Sequence, residues 1–303
     1  MNALLQYTAN GLTVGAFYAL VALGYTMVYG IIRLINFAHG DFFMVGSFLT
    51  LSIVTALTSA GLPVAAVVLL GLIVVMFATG MVGVVAARAV YLPLLKAPQL
   101  SLLVSALGLS LAIEYGTAIT RGTGFRSVPS LPFLSPQHGF SLTGSVRIGY
   151  GQVGIFLLSI ALMMALYVFV TRTVTGTTMR TLSMDQDAAR LMGINVERTT
   201  MLAFFIGGAL AGAAGLMYAL YYPQINFLMG FLLGLRAFTA AVIGGIGNIP
   251  GAMVGGFVIG LLESYATGYI SGRWTDVVVF GVLIGVLVVR PSGLFGEQVV
   301  ERV

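Results

Sequence analysis

The sequence predicts an all-α, polytopic transmembrane helix bundle of eight or nine spans. Of its 303 residues, 59% are hydrophobic and only 8% are charged, whereas an average soluble domain has roughly 25% charged residues. So few charges cannot cover a water-facing surface of this size, which leaves lipid as the solvent. The 40 glycines are about twice the average usage, and small residues favour close helix crossings in a bilayer.

Nine apolar runs approach the length of about 20 residues that a spanning helix needs. Eight of them cover residues 12–32, 42–57, 62–87, 100–120, 153–170, 200–220, 252–270 and 277–289. The ninth, 227–243, is interrupted by Arg236, so it is either a full span or a re-entrant pair of half-helices. Together the runs form one transmembrane domain over residues 1–303.

Arginines predict the side of the membrane that each loop faces. Residues 173–199 include Arg180, Arg190 and Arg198, and an excess of basic residues in a short loop marks the cytoplasmic side. We therefore expect a cytoplasmic loop over 173–199 and, one span earlier, an external loop over residues 121–152. The N-terminus is then external as well.

A short helix is predicted inside the cytoplasmic loop. Ser183 and Gln186 have the spacing of a capping box, in which each side chain satisfies a free backbone N–H. Asp185 and Asp187 fall in the first turn, where negative charge is favourable. Gly193 supplies a stop, because glycine accepts the left-handed conformation that ends many helices.

This short helix presents apolar side chains to water. Leu191 and Met192 come directly before its predicted end, and a two-turn helix is marginal in water without a partner. The pattern indicates either docking on a partner protein or a surface helix that lies on the lipid headgroups.

Two interruptions of the apolar runs are candidate sites, because polar groups and broken helices inside a membrane mark transport pathways. Their residues are Asn36, His39, Gly40 and Asp41 in the first, and Gly244, Gly245, Gly247, Asn248 and Pro250 in the second. Aligning residues 41–48 with 250–257 gives four matches in eight. We expect the interruptions to face each other across a cavity; the alternative is two turns at the membrane edge.

Three further charged residues lie within apolar runs. Glu114 is a candidate for the wall of a cavity. Arg236 and Glu263 form either a buried pair or two side chains that extend separately to an interface.

Several chemistries are excluded. The chain has no cysteine and only two histidines, His39 and His138, which are far apart and make a poor metal set. It contains neither a G-x-x-x-x-G-K-[ST] phosphate loop nor a G-x-S-x-G or H-E-x-x-H motif. The net charge of +5 comes from scattered arginines typical of membrane-edge anchors, so no nucleic-acid partner is predicted.

Three segments carry a family resemblance: GYTMVYGIIRLINFAHGDFFMVGSF, DAARLMGINVERT and RAFTAAVIGGIGNIPGAMVGG. They resemble the permeases of bacterial high-affinity branched-chain amino-acid ABC importers, of the LivH type, and the likeness covers nearly the whole chain. The resemblance implies a non-enzymatic permease subunit with no cofactor of its own, multi-pass in the bacterial inner membrane. It implies a second related permease subunit, an external substrate-binding protein, and two ATPase subunits that bind ATP and magnesium.

The loop around Asp187 resembles the Glu-Ala-Ala-x-x-x-Gly segment by which ABC import permeases contact the ATPase. The matching residues are Asp187, Ala188, Ala189 and Gly193. Aspartate replaces the family's glutamate, so the carboxylate is kept and its reach is shortened.

Other positions depart from the family pattern. Arg33 stands where such permeases often have glycine, Asp41 where they often have glutamate, and Glu114 where glutamine is common. Related permeases carry urea or short amides, which remains an alternative substrate class. An ion-coupled secondary transporter, with Asp41, Glu114 and Glu263 as ion carriers, is the alternative mechanism.

Overall fold

The computed structural model describes residues 2–33, 35–95, 97–131, 138–143, 146–222 and 224–296. Eleven helices occur in these ranges: α1 Asn2–Ile32, α2 His39–Ser59, α3 Val64–Leu94, α4 Gln99–Arg121, α5 Tyr150–Arg172, α6 Val174–Met184, α7 Gln186–Leu191, α8 Val196–Tyr221, α9 Met229–Gly244, α10 Ile249–Ile270 and α11 Gly272–Val289. The predicted all-α bundle is confirmed.

Eight of these helices, all except α6, α7 and α9, are long and apolar enough to cross a membrane. The run with Arg236 forms one continuous helix, α9, rather than a pair of half-helices. Its 16 residues extend about 24 Å at 1.5 Å per residue, which is shorter than a hydrocarbon core of about 30 Å. Helix α9 therefore begins or ends inside the membrane layer.

Polar contacts identify the elements that meet at each end of the bundle. At one end, the Tyr7 end, the Tyr7 hydroxyl donates to the Gly268 carbonyl at 3.3 Å, and Gln152 bonds both Asn10 and Tyr221 at 3.0 Å. This end therefore collects the start of α1, the start of α5 and the ends of α8 and α10.

The opposite end, the Arg33 end, contains α6 and α7. The Arg33 guanidinium donates to the carbonyls of Ser183 and Met184 at 2.9 and 3.0 Å, and the Gln186 amide donates to the Ile31 carbonyl at 2.7 Å. The predicted cytoplasmic loop thus lies at the end of the bundle away from Tyr7.

Helix α1 is the centre of the core. Residues 15–28 are all buried, and the helix packs against α8, α9 and α10. The contact with α10 is backbone to backbone, since a Cβ added to Gly11 or Gly15 would come within 2.9 Å of the α10 backbone. A helix surrounded by protein can be apolar on every face, which explains its uniform hydrophobicity.

The segment predicted as an external loop contains short strands. β1, Arg126–Ser127, pairs antiparallel with β4, Gln224–Ile225. β2, Gly139–Thr143, pairs with β3, Val146–Gly149. Residues 132–137 and 144–145 of the predicted loop lie outside the described residues. The β1–β4 pair ties the end of α4 to the segment that leads into α9.

Helices α2 and α9 begin in the interior and run to opposite ends. The His39 ring at the start of α2 packs against Gly24 of α1 and Gly207 of α8. Gly24 is eight residues, or about 12 Å, before the end of α1. Helix α9 begins beside Gly40 and ends at Gly244, whose turn shares a cavity with Tyr29 near the Arg33 end.

Candidate functional site

The first predicted interruption, residues 36–41, is enclosed by protein. Asn36, His39 and Asp41 are each 0–2% exposed. The Tyr91 hydroxyl donates to Asn36 Oδ1 at 2.5 Å, and the Ser110 hydroxyl donates to Asp41 Oδ2 at 2.5 Å. Non-helical backbone at membrane depth is tolerated only in such an enclosure or beside a water-filled cavity.

Residue Arg33 ends α1 in a left-handed conformation, with φ of 55°. A residue with a side chain is uncommon there and glycine is favoured, which gives a physical reason for the glycine expected from the family pattern. In this chain the strained position is held by the two carbonyl contacts with Ser183 and Met184.

The second predicted interruption, residues 244–251, is a tight turn between α9 and α10 at the Arg33 end. Gly245 and Gly247 have φ of 101° and 95°. Asn248 caps α10 by accepting the Gly251 N–H at 2.9 Å, and its amide donates to the Phe295 carbonyl at 2.9 Å. Pro250 occupies the first turn of α10, where its missing N–H costs nothing.

Residues 36–41 and 244–251 do not face each other across a cavity, contrary to the prediction. The turn lies beside a cavity of about 680 Å³ whose described lining includes Tyr29, Asn248 and Ser292 and no residue of 36–41. Residues 36–41 instead contact α1, α3, α4, α8 and α9. The prediction fails because α9, at full length, separates the two segments.

The segment that crosses residues 36–41 is 225–230, at the start of α9. An added Cβ on Gly40 would lie 2.6 Å from the Gly234 Cα, and one on Gly230 would lie 2.7 Å from Asp41 Oδ1. The residue before each helix has nearly the same backbone angles: Ala38 has φ −71° and ψ −4°, and Leu228 has φ −91° and ψ −6°.

The sequence signal for this pairing is a short repeat, which neither the apolar runs nor the charged residues reveal. Residues 35–40 are INFAHG and residues 225–230 are INFLMG, so four of six positions are identical. The second copy has no charged or histidine side chain, which is why it reads as an ordinary apolar run. Both copies place glycine at the sixth position, where the two helices cross.

A cavity of about 700 Å³ lies next to this crossing, on the side of the second copy. Its described lining includes Glu114, Asn226, Met229, Arg236 and Glu263. Most of the remaining lining is apolar or aromatic: Val14, Phe17, Tyr18, Leu111, Tyr218, Tyr222, Leu228, Phe231, Leu232 and Leu233. Small-molecule sites have this character, with a mostly apolar wall and a few convergent polar groups.

Arg236 and Glu263 form a partly buried ion cluster rather than two side chains that extend separately to an interface. Arg236 donates to Glu263 Oε1 and to Asp276 Oδ1, both at 2.6 Å, and to the Tyr18 hydroxyl at 3.2 Å. The Tyr18 hydroxyl donates to Glu263. Asp276 and Tyr18 could not be found from sequence spacing, because they come from α11 and α1. The cluster joins four helices in one wall of the cavity.

The predicted short helix is present as α7, but its cap is Asp185 and not Ser183. Asp185 Oδ1 accepts the N–H groups of Asp187 and Ala188 at 2.8 and 3.0 Å. These donors, that of Ala188 first, lower the pKa of Asp185. Their stabilising effect is therefore present above the usual aspartate pKa and is lost as the pH falls through the lowered value.

The predicted capping box is wrong because α6 continues through Ser183. The Ser183 hydroxyl donates to the Arg180 carbonyl at 2.7 Å, and Gln186 is engaged with Ile31. The predicted stop is confirmed: Gly193 has φ of 82° and donates its N–H to the Arg190 carbonyl at 3.0 Å.

The apolar end of α7 is open. Leu191 is 91% exposed and Met192 76% exposed, whereas Ala189 is fully buried against the bundle. Among the described residues, Asp187 forms an ion pair with Arg190 on its own helix, at 3.4 Å, and with no other side chain. The helix is thus fixed to the bundle on one side and presents two large apolar side chains on the other.

These features define a multi-pass membrane protein with a mostly apolar cavity that carries a few polar groups, and with a short helix whose apolar end is exposed. The family described as the permease component of branched-chain amino acid transport systems matches residues 7–287. This chain belongs to that family of permeases.

Full-length relatives agree with the family match. The LivH permease protein of a high-affinity branched-chain amino acid transport system from Salmonella typhimurium is 40% identical, over 99% of this chain and 97% of the relative. The corresponding BraD protein of Pseudomonas aeruginosa is 39% identical over 99% and 98%. A probable LivH permease from Methanocaldococcus jannaschii is 29% identical over 91% and 88%.

The crossing of α2 and α9 yields a prediction about Gly234. Gly234→Val should lower the thermal unfolding temperature of the purified protein, because overpacking a tight contact costs about 1–3 kcal/mol. Gly281→Val is the matched control, since an added Cβ there meets nothing within 4 Å. Equal unfolding temperatures for both variants in detergent would show that the crossing is not tightly packed.

Proposed function

We propose that this chain is one permease subunit of an ATP-driven importer for branched-chain amino acids in the bacterial inner membrane. It pairs with a second related permease subunit, receives substrate from an external binding protein, and is driven by two ATPase subunits that hold ATP and magnesium. Identity over nearly the full length to LivH and BraD supports this assignment most strongly.

The exposed end of α7 supports the ATPase contact. Leu191 and Met192 are available to enter a cleft, and the Asp185 cap and Gly193 stop fix the two ends of the helix. The coupling surface then consists of Asp185, Asp187, Ala188, Leu191, Met192 and Gly193, with Ser183 in the preceding helix, and the buried Ala189 packs α7 against the bundle. Arg33 links this surface to the α1–α2 connection.

The pathway is proposed to pass the α2–α9 crossing. Asn36, His39, Gly40 and Asp41 form one side of it, and Glu114 lies in the cavity on the other side. Gly244, Gly245, Gly247, Asn248 and Pro250 line the second cavity or its turn, which we assign to the cytoplasmic exit. We expect this path to bind the substrate weakly, because an importer must release its substrate on the inside.

The assignment is tested by assembly and coupled hydrolysis. The wild-type chain should co-purify with its second permease and its ATPases. In liposomes, leucine-loaded binding protein should stimulate ATP hydrolysis and drive leucine uptake. Uptake driven by an ion gradient without ATP would contradict the ABC mechanism, and uptake of urea or acetamide in place of leucine would contradict the substrate.

The sidedness follows from the arginine distribution and is tested by labelling, for which the chain is suited because it has no cysteine. Met184→Cys, 80% exposed at the Arg33 end, should react only with reagents that enter the cytoplasm. Ser130→Cys, exposed in the segment after α4, should react in intact cells with an impermeant maleimide. The reverse pattern would invert the topology.

The coupling role of α7 predicts an effect at Gly193. Gly193→Val should uncouple hydrolysis from uptake or release the ATPase, because a left-handed conformation costs a branched residue about 1–2 kcal/mol. Gly193→Asn is the matched control, since asparagine tolerates this conformation. If both variants assemble, hydrolyse ATP and transport like the wild type, α7 is not the coupling element.

A further inference from the structure

In the 700 Å³ cavity, Glu114 is the charged side chain that has no counter-charge among the described residues. Glu114 is 4% exposed, lines the cavity, and its Oε1 has no hydrogen-bond partner among the described residues. Burial removes water from a carboxylate, and without a hydrogen-bond donor the lost hydration free energy is not compensated. A ligand that carries a positive charge would supply the missing partner.

The other charges of the cavity wall are already paired. Arg236 binds both Glu263 and Asp276, so its donors are directed to carboxylates of the chain. Asp41 of α2 accepts from Ser110, which lies one turn before Glu114 on α4, but Asp41 is fully buried and does not line the cavity. Glu114 is therefore the carboxylate that is free to meet a ligand here.

A complementary donor lies in the same cavity. Asn226 Oδ1 accepts the Leu228 N–H at 2.9 Å, which fixes the amide, and Nδ2 has no acceptor among the described residues. An amide N–H is a suitable donor to a carboxylate. Most of the other residues that line the cavity are apolar or aromatic, and Leu111, Leu232 and Leu233 are among them.

We propose, on the basis of the proposed importer function, that this cavity is a transient site for a zwitterionic amino acid. Glu114 binds the ammonium group, the Asn226 amide nitrogen binds the carboxylate, and the leucine-lined wall accepts a branched aliphatic side chain. The apolar wall strengthens both polar contacts because it lowers the local dielectric. A neutral amide such as urea lacks the ammonium group that Glu114 requires.

Two substitutions remove one contact each. Glu114→Gln keeps the shape of the side chain and removes the charge, so maximal leucine uptake should fall about tenfold, as for the loss of one charge-assisted hydrogen bond. Asn226→Asp keeps the acceptor for Leu228 and loses the donor, with a similar fall expected. Asn195→Asp is the matched control: the Asn195 side chain also accepts a backbone N–H at a helix start, that of Arg198 at 3.0 Å, and it does not line the cavity.

Chemical restoration of the charge separates binding from folding. Glu114→Cys should be as slow as Glu114→Gln, and 2-sulfonatoethyl methanethiosulfonate should raise its uptake several-fold, because the adduct is permanently negative. The trimethylammonium reagent should give no rescue. Ile119→Cys, on the same helix and 85% exposed, controls for non-specific effects of the reagents, alongside the treated wild-type complex.

Three outcomes would overturn the inference. They are wild-type uptake by Glu114→Gln, equal effects of the negative and positive adducts, and no labelling of Glu114→Cys in any nucleotide state. A group that only carries protons would not be replaced by a sulfonate, so rescue also excludes that role. Failure of leucine uptake by the wild-type complex would instead count against the proposed function.

Discussion

Two helices that start inside the membrane layer must place their unpaired N–H groups where lipid cannot reach them, and the packing of the rest of the bundle follows from this requirement. Helices α2 and α9 meet it by crossing each other at their first turns. Gly40, Gly230 and Gly234 let the backbones approach so closely that no lipid can enter. Helices α1, α4 and α8 then complete the enclosure.

The same crossing explains where the polar groups lie. The polar residues of the first copy of the INFxxG repeat, Asn36 and His39, are buried, and Asn36 is bonded by Tyr91. The second copy borders a cavity, and its Asn226 bonds only its own turn. The residues before the two helices thus have nearly the same backbone angles in different surroundings.

The lengths of the apolar runs predicted the spans, because a spanning helix needs about 20 predominantly apolar residues and these can be counted in the sequence. The polar run at 36–41 was likewise visible. Its partner was not, because residues 225–230 consist of apolar residues and a single Asn226, and only the comparison with the first copy reveals them. The alignment of residues 41–48 with 250–257 pointed to the turn between α9 and α10, whereas the segment that crosses residues 36–41 is 225–230.

Other parts of the site depend on contacts between distant residues. Tyr18 and Asp276 complete the Arg236 cluster from 218 and 40 residues away in the chain, and no periodicity links them. The cap of α7 was misassigned for a local reason. Ser183 and Asp185 are both suitable N-cap residues. Asp185 is the cap because α6 continues through Ser183 to Met184, whose carbonyls are bound by Arg33.

Replacing Arg33 by glycine would have two opposing effects on the end of α1. A glycine there would relax the end of α1, removing a strain of about 1–3 kcal/mol, yet it would also remove both bonds to the carbonyls of Ser183 and Met184. The stability of the chain would change little, while α6 would lose its tether to α1. Sequence drift between arginine and glycine would therefore alter how stiffly the α6–α7 hairpin follows the bundle rather than whether the bundle folds.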